Sequence, residues 1–508
     1  MIEPPRSTVQ SQVATGTGAL RSRFAEAAHA PLALIAGTAA VYSFLALLFL
    51  RKFYLSDPDI WWHLATGRWI LQHRAVPMTD PFSSYGLGKP WIAYSWLFDI
   101  VAQLFYRPFG YVGILYLELV IRVALAVALF HLVRSLLPNF WRAAAITAVA
   151  LYAMNWVVGP RPGMLTILFS IIELQILLAA RQTGSARKLW LLPLLLLLWA
   201  NWHIQFVYGL LLMALFACEP LFARVLGKDV AGENPAARKQ LWWVLGACLL
   251  ATLVNPYGPR IYSTVFQYMR QPKVFSQIVE LRAMTFRVPA NYVVLFLMLA
   301  AAIAIGWRRD RRLLWPVLLS IAAFLAFRSV KETWFLAVIS ACALADGWDW
   351  KSASGFPRLT LRYQFGVWAF AMAAVVGGFR YYGVSSDFLE MQVMGGFPET
   401  SARYIETHHL AGPLYNDFNW GGYLLWRLPE LTVAIDGRTN VHGDERVDHF
   451  GAMWTGKPLW ANDAELLRAK IVVAKKDTAL ASLLRLDPRF KIVYEDVQAA
   501  VFQPQGRN

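Results

Sequence analysis

Charged residues are scarce in this sequence: only 16% of its 508 residues are Asp, Glu, Lys or Arg, whereas 57% are hydrophobic. A soluble protein of this length could not bury so much apolar surface. Acidic residues are fewer than basic ones: the sequence has 32 Asp and Glu residues against 48 Lys and Arg residues, which gives a net charge of +16. The basic residues cluster in short connections near 181–188, 228–239 and 308–312. Such loops stay on the cytoplasmic side of a membrane, so the charge indicates a multi-pass protein and not a nucleic-acid partner.

Cysteine is rarer still, and several catalytic motifs are missing. The three cysteines all lie in apolar runs, far from a C-x-x-C spacing, which predicts neither a disulfide framework nor a metal site. The chain contains no phosphate-binding Gly-rich loop, no G-x-S-x-G elbow and no H-E-x-x-H helix. These absences argue against an ATP-driven pump, a hydrolase of the usual type and a zinc protease.

Long apolar runs dominate what is present. Most are close to the roughly 20 residues that cross a bilayer as a helix. We therefore predict an α-helical polytopic membrane protein of about 11–12 helices, with a disordered cytoplasmic tail over 1–30, a membrane body over 31–383 and a first outer loop over 51–90. The runs are Pro31–Leu50, Tyr111–Val133, Gly163–Ala180, Leu189–Ala200, Val207–Leu221, Leu241–Val254, Tyr292–Trp307, Leu313–Phe327, Phe335–Ala345 and Phe365–Gly378.

The basic loops also predict which segments face outward. With 181–188 and 228–239 inside, the segments 201–203, 255–290 and 328–332 lie on the outer side. One inconsistency remains in the first third of the chain, where four full crossings between residues 91 and 180 would put the loop 181–188 on the wrong side. One of these four segments is therefore expected not to cross.

The last 125 or so residues follow a different pattern. The runs "GPLYNDF", "LTVAIDGR", "AKIVVAKK" and "FKIVYED" are short and rich in β-forming residues. Helical stretches over Asp463–Leu467 and Thr478–Leu484 separate them. We expect residues 384–508 to form an α/β domain on the extracytoplasmic side.

The stretch "YLSDPDIWWHLATGRWILQH", Tyr54–His73, carries the densest chemistry. On structural grounds Asp57 caps a helix, Pro58 fits its first position, and Ile60–Gln72 is an amphipathic helix at the membrane interface. On functional grounds Asp57, Asp59 and His63 form a reaction centre. A partly desolvated carboxylate there could remove a proton from a hydroxyl or hold a divalent cation such as Mg²⁺ or Mn²⁺.

Further polar groups fall on the same predicted face. In "WANWHIQF", Asn201 and His203 interrupt an apolar segment, where polar residues are costly and are either functional or paired within the bundle. Five further residues are also candidates. Each one alone is more simply explained as an anchor at a helix boundary, but together they would form a cationic lining for a phosphate or pyrophosphate. These five residues are Arg161, Tyr257, Arg260, Arg328 and Lys331.

In the C-terminal domain, Asp436 and Arg438 follow a predicted strand. Ligands of α/β layers bind beyond the carboxyl ends of strands, which makes both residues candidates on the acceptor side. The alternative is an ordinary Asp-Gly turn.

The layout resembles the GT-C superfamily of integral membrane glycosyltransferases. The resemblance rests on a first span, an outer loop with an acidic D-x-D-like motif, a polytopic body and a C-terminal outer domain. The resemblance covers nearly all of the chain except the tail. Within the superfamily, the chain is similar to a bacterial, largely uncharacterised subgroup. The segments concerned are "DPDIWWHLATGRWI", "TDPFSS", "GKPWIAYSWLFDI", "RPGMLTILF", "WANWHIQF", "NPYGPRIY" and "NDFNWGGYLLW" with "AIDGR".

This resemblance implies an inverting sugar transfer from a polyprenyl-phosphate or polyprenyl-pyrophosphate donor to a glycan, lipid or protein of the envelope. The catalytic acid of the first outer loop falls on Asp57 or Asp59, and their order favours Asp59 as base and Asp57 as cap. Trp420 and Tyr423 of "WGGY" match part of an acceptor motif of oligosaccharyltransferases that has an aspartate where this chain has none. A plasma-membrane location with an extracytoplasmic active face is also implied. A lipid-linked saccharide flippase and a non-catalytic assembly subunit are the alternative functions.

Overall fold

The computed structural model describes residues 55, 57–225, 235–307, 313–347 and 385–505, with a few helical positions between 369 and 380. The predicted tail, the first span Pro31–Leu50, the span Phe365–Gly378 and the basic loops near 228 and 308 lie wholly or largely outside the described residues. Within the chain, Phe53–Ala353 and Val384–Asn508 belong to one compact unit. The site residues predicted from the sequence all fall in this unit.

Apolar helices make up most of the body, as their uninterrupted hydrophobic runs predict. Among the described residues, four stretches are long and apolar enough to cross a membrane: Tyr111–Leu136, Gly163–Thr183, Ile204–Phe222 and Pro289–Trp307. The helix Thr333–Gly347 is buried along nearly its whole length, which places it inside the bundle. In chain order the body helices are α1 Asp59–His73, α2 Trp96–Phe109, α3 Tyr111–Leu136, α4 Phe140–Met154, α5 Gly163–Thr183, α6 Leu192–Trp202, α7 Val207–Val225, α8 Pro235–Thr252, α9 Ile261–Met269, α10 Pro272–Gln277, α11 Pro289–Trp307, α12 Leu314–Arg328 and α13 Thr333–Gly347.

Helix α2 bears on the inconsistency in the first third. It has 14 residues, about 21 Å of helix, which is shorter than the hydrocarbon layer. It packs along α1, and Gly67 of α1 has no room for a side chain against the Asp99 carbonyl of α2. This packing favours α2 as the segment that does not cross.

The prediction that Ile60–Gln72 forms an amphipathic helix at the membrane interface was wrong. Helix α1 begins at Asp59, ends at His73, and buries an unbroken run from Ile60 to Gly67. It is covered on nearly all sides because α2 lies on one side and the C-terminal domain on another. Trp61 accordingly packs among Phe397, Tyr423 and Trp426 with ring centroids 4.9–5.3 Å away, and it is not a membrane-interface anchor.

The C-terminal domain is the small α/β layer that the sequence predicts. Its strands are β1 Leu414–Asn416, β2 Ile471–Lys475, β3 Phe490–Glu495 and β4 Ala499–Pro504, and its helices are α14 Ser386–Gly396, α15 Glu399–Thr407, α16 Phe418–Arg427, α17 Thr439–Trp454, α18 Ala464–Arg468 and α19 Ala479–Leu486. The sheet order is β1-β2-β4-β3, with only the β1 and β2 pair parallel.

The strand predicted before Asp436 did not form as an independent element. Val433 instead makes single bridges to Leu414 of β1 and to Ser83 of the first loop. The first loop therefore extends the edge of the C-terminal sheet. One apolar core runs through Trp61 of α1, Tyr423 of α16 and Ile471 of β2, so the outer loop and the C-terminal domain share their hydrophobic stabilisation.

Candidate active site

The two aspartates that open α1 have different surroundings. The Asp57 carboxylate accepts a hydrogen bond from the Asp59 backbone N–H at 2.9 Å, which caps the helix as predicted. The Asp59 carboxylate accepts one from the Trp62 indole N–H at 3.2 Å. Gly437 of the C-terminal domain lies so close to Asp59 that a β-carbon there would overlap its carboxylate. The turn that joins Asp436 to Arg438 therefore packs directly against the Asp59 carboxylate.

Arg161 joins three carboxylates that come from two separate segments of the chain. It stands between two prolines just before α5, and its Nε donates to the Asp57 carboxylate. Its Nη1 donates to both oxygens of Glu280, at 2.6 and 2.5 Å, and lies 3.7 Å from Asp59. Lys331 adds a second cation, 3.8 Å from Glu280. If all five groups are charged, this cluster carries one net negative charge.

Asp59 is the member whose ionisation is poised near neutrality. Burial raises its pKa to about 6, the neighbouring Arg161 lowers it, and the negative charges of Asp57 and Glu280 raise it. Arg161 and Lys331 instead hold the pKa of Glu280 below its usual range against the opposing effect of burial. A carboxylate with a pKa close to the working pH suits a general base.

The cluster does not fit a divalent cation well. Within the described residues no group of three His, Cys, Asp or Glu side chains is arranged to hold a metal. The Arg161 guanidinium already lies between Asp57 and Glu280 and supplies there the positive charge that an ion would bring.

Two buried histidines lie in the layer beneath this cluster. His63 Nδ1 is hydrogen-bonded to the Asp99 carboxyl group of α2 at 2.6 Å. His203 pairs with the Thr166 hydroxyl at 2.8 Å and packs edge-on against the Tyr94 ring. Both imidazoles are therefore held by protein partners, and His63 orients α1 against α2.

The remaining outer candidates do not all reach the cluster. Asn201 is satisfied inside the bundle, accepting from the Trp96 indole at 3.0 Å and donating to two carbonyls, which matches the structural alternative. The Tyr257 hydroxyl donates to the Pro77 carbonyl and accepts from the Ala93 N–H. Arg260 is exposed and Arg328 lies over the Phe275 ring. Of these five candidates, Lys331 is the one that contacts the carboxylate cluster, through Glu280.

The acceptor-side candidates are buried in structural contacts. Arg438 has no exposed side-chain surface and lies between Asp80 of the first loop at 2.6 Å and Asp436 at 2.7 Å. Trp420 donates to the Gly396 carbonyl and the Tyr423 hydroxyl donates to Glu399. Asp436 and Arg438 therefore belong to a buried ion-pair network, and Trp420 and Tyr423 pack the domain onto α1.

Comparison with solved structures gives the fold. An Archaeoglobus fulgidus oligosaccharyltransferase tethered with an acceptor peptide containing the NVT sequon matches with a TM-score of 0.53 at 11% identity, covering 86% of this chain and 68% of that one. The oligosaccharyltransferase AglB from the same organism, in complex with an inhibitory peptide and a dolichol-phosphate, gives 0.52 at 11% identity, covering 86% and 69%. The chain has the GT-C fold.

Other comparisons add less. The mycobacterial arabinofuranosyltransferase AftD covers 93% of this chain and 40% of its own, with a TM-score of 0.44 at 14% identity. No family model matches the sequence, and no curated protein matches it. The GT-C fold is therefore identified from the arrangement of the helices and the C-terminal domain and not from sequence similarity.

Within this GT-C fold, sequence reasoning missed residues that contact the site. Glu280, which completes the carboxylate set, lies in an apolar stretch of a long loop with no motif around it. Asp80 and Asp99 do fall in "TDPFSS" and "WLFDI", segments that carry the family resemblance. Pairing each of them with a distant partner required the tertiary structure.

Proposed function

We propose that this protein is a membrane glycosyltransferase that moves a sugar from a polyprenyl-phosphate or polyprenyl-pyrophosphate donor to an extracytoplasmic acceptor, with inversion at the anomeric carbon. The observation that carries the proposal is a GT-C fold whose first loop presents Asp59 with a pKa near 6 beside Arg161. A plasma-membrane location with an outward active face belongs to the same proposal.

The proposed base is Asp59. Asp57 is already bound to the α1 N-terminus and to Arg161, whereas Asp59 is 28% exposed and keeps a longer contact with that guanidinium. Asp59 takes the proton of an acceptor hydroxyl, whose oxygen then attacks the anomeric carbon. The bond between that carbon and the phosphate oxygen breaks as the new glycosidic bond forms, and the phosphate leaves with the electron pair.

The leaving phosphate needs positive charge. Arg161 is largely neutralised by its carboxylates, while Lys331 is 37% exposed and has only a 3.8 Å contact with Glu280. We assign Lys331 to the phosphate and Arg161 to holding the carboxylates in place. Their charges stabilise the developing negative charge most effectively where water is excluded.

The test is transfer of a radiolabelled sugar from lipid-linked donors in membranes that contain Asp59→Asn. This change keeps the shape and removes the base, and we expect transfer to fall by at least about 100-fold. Asp477→Asn, an exposed aspartate of the C-terminal domain, is the matched control and should keep wild-type transfer. The membranes that contain Asp59→Asn should also accumulate the lipid-linked sugar donor, which mass spectrometry would detect.

Two results would contradict the proposal. Wild-type transfer by Asp59→Asn would remove the assigned base. Movement of the lipid-linked saccharide across vesicles without a new glycosidic bond would indicate a flippase instead.

A further inference from the structure

A cleft lies between the first loop and the C-terminal domain. Its volume is about 320 Å³, and Ser84, Tyr85, Tyr415, Ala434, Glu465 and Arg468 contribute to its walls. A volume of this size accommodates a small ligand. Nothing in the proposed reaction uses these residues.

The buried hydroxyl group of Tyr415 is the observation that points to a ligand in this cleft. Its side chain is 1% exposed, its ring stacks on Phe450 at 5.0 Å, and its hydroxyl lacks a hydrogen-bond partner within the described residues. A buried hydroxyl without a partner costs free energy that a ligand oxygen in the cleft would recover. Asp463 and Glu465 face this hydroxyl and Arg446 is the nearby cation.

The walls of the cleft are held in place before any ligand arrives. Ser84 N–H donates to the Val433 carbonyl at 2.9 Å, and Leu414 bridges Val433. Glu465 is fixed by Arg446, which donates to both of its oxygens. Because its walls are already ordered, the cleft costs little conformational entropy when a ligand binds.

The cleft and the reaction centre share one short segment of chain. Ala434 lines the cleft, and Gly437, three residues later, contacts Asp59. Three residues span at most about 10 Å. The backbone of the cleft wall therefore lies within about 10 Å of the backbone that adjoins Asp59.

We propose that this cleft is a subsite for a saccharide of the acceptor, so that the acceptor is a glycan. The proposal rests on the proposed function. Sugar hydroxyls suit the chemistry of the walls: the Tyr415 and Ser84 hydroxyls and the Glu465 carboxylate offer hydrogen bonds, and exposed Arg468 makes no ion pair with any described residue. Its guanidinium adds donors at the mouth of the cleft.

Saturation-transfer NMR on the detergent-purified full chain tests the subsite, with a panel of methyl glycosides and disaccharides as probes. Tyr415→Phe removes the hydroxyl and keeps the stacked ring; Arg468→Ala removes the charge at the surface. We expect each change to reduce the saccharide signal at least fivefold. The controls Tyr494→Phe and Lys470→Ala, which lie outside the cleft, should leave it unchanged.

Asp59→Asn separates this inference from the proposed function, because it should abolish transfer and leave saccharide binding intact. In a transfer assay with a glycan acceptor, the cleft variants should raise the acceptor KM about tenfold with kcat within twofold. Absence of saturation transfer from every saccharide overturns the subsite, since water alone would then fill the cleft. Binding that is insensitive to both cleft changes, or binding of a mixed pentapeptide pool in place of sugars, also overturns it.

Discussion

At the scale of single residues, the different environments of Asp57 and Asp59 decide their chemistry. Both carboxylates lie within two residues of each other, yet Asp57 is committed to a helix end and to Arg161, while burial raises the pKa of Asp59 to about 6. A base must be deprotonated, so activity should rise with pH through that value and level off above it. The midpoint of this acidic limb, the rising part of the plot of transfer rate against pH, reports the pKa of Asp59 and therefore the charges around it.

Glu280→Gln should move that limb to lower pH. The negative charge of Glu280 contributes to the raised pKa of Asp59, and its removal also frees Arg161 to approach Asp59. Both effects favour the ionised carboxylate, so the midpoint of transfer rate against pH should fall by about one unit. Glu430→Gln, at an exposed position, should not move it, and an upward shift would show that Glu280 does not act on the base.

At the scale of elements, two contacts tie the turn 436–438 to the first loop. Gly437 adjoins Asp59, and Arg438 is paired with Asp80 and Asp436 without exposure to solvent. The pairing with Arg438 keeps the pKa of Asp436 far below its usual range despite burial. The turn thus both closes the site and anchors the domain.

Gly437→Ala should impair catalysis without unfolding the protein. The added methyl would overlap the Asp59 carboxylate and push it out of position. A displacement of about 1 Å can cost about 100-fold in rate, which the sugar-transfer assay would detect. Gly395→Ala, where a methyl meets open space, is the matched control; equal activity in both variants would show that Asp59 tolerates the displacement.

Arg438→Met should loosen the C-terminal domain. It leaves the carboxylates of Asp80 and Asp436 buried without their cation, a loss of about 3–5 kcal/mol in the free energy of unfolding. Arg485→Met breaks the more exposed pair with Glu495 and should cost less than about 1 kcal/mol. Pulse proteolysis in detergent measures both, and equal losses would contradict a specific role for the buried pair.

At the scale of the whole molecule, the GT-C fold and the basic loops predict which side each region faces. The loop near Ser185 should be cytoplasmic and the C-terminal domain extracytoplasmic. In a background without the three native cysteines, Asp477→Cys should react with a membrane-impermeant maleimide in intact cells, and Ser185→Cys only after permeabilisation. Both positions are exposed. The opposite labelling pattern would reverse the topology and with it the outward active face.

The sequence determined the features that depend on local composition and spacing. Apolar runs such as Tyr111–Val133 predicted membrane helices, and short β-rich runs predicted three of the four strands of the C-terminal sheet; β4, Ala499–Pro504, was missed. The cap formed by Asp57 followed from its position before Pro58. These features could be predicted because hydrophobic periodicity and capping act over a few residues.

Only the tertiary structure decided what surrounds Asp59. Helix α1 appears suited to a membrane interface by its tryptophans, yet the C-terminal domain covers it because Trp61, Phe397 and Tyr423 share one core. The partner that links Asp57 and Asp59 to Glu280 is Arg161, and more than 100 residues separate it from each side. Contacts over such distances depend on the packing of whole elements, and neither composition nor local spacing encodes them.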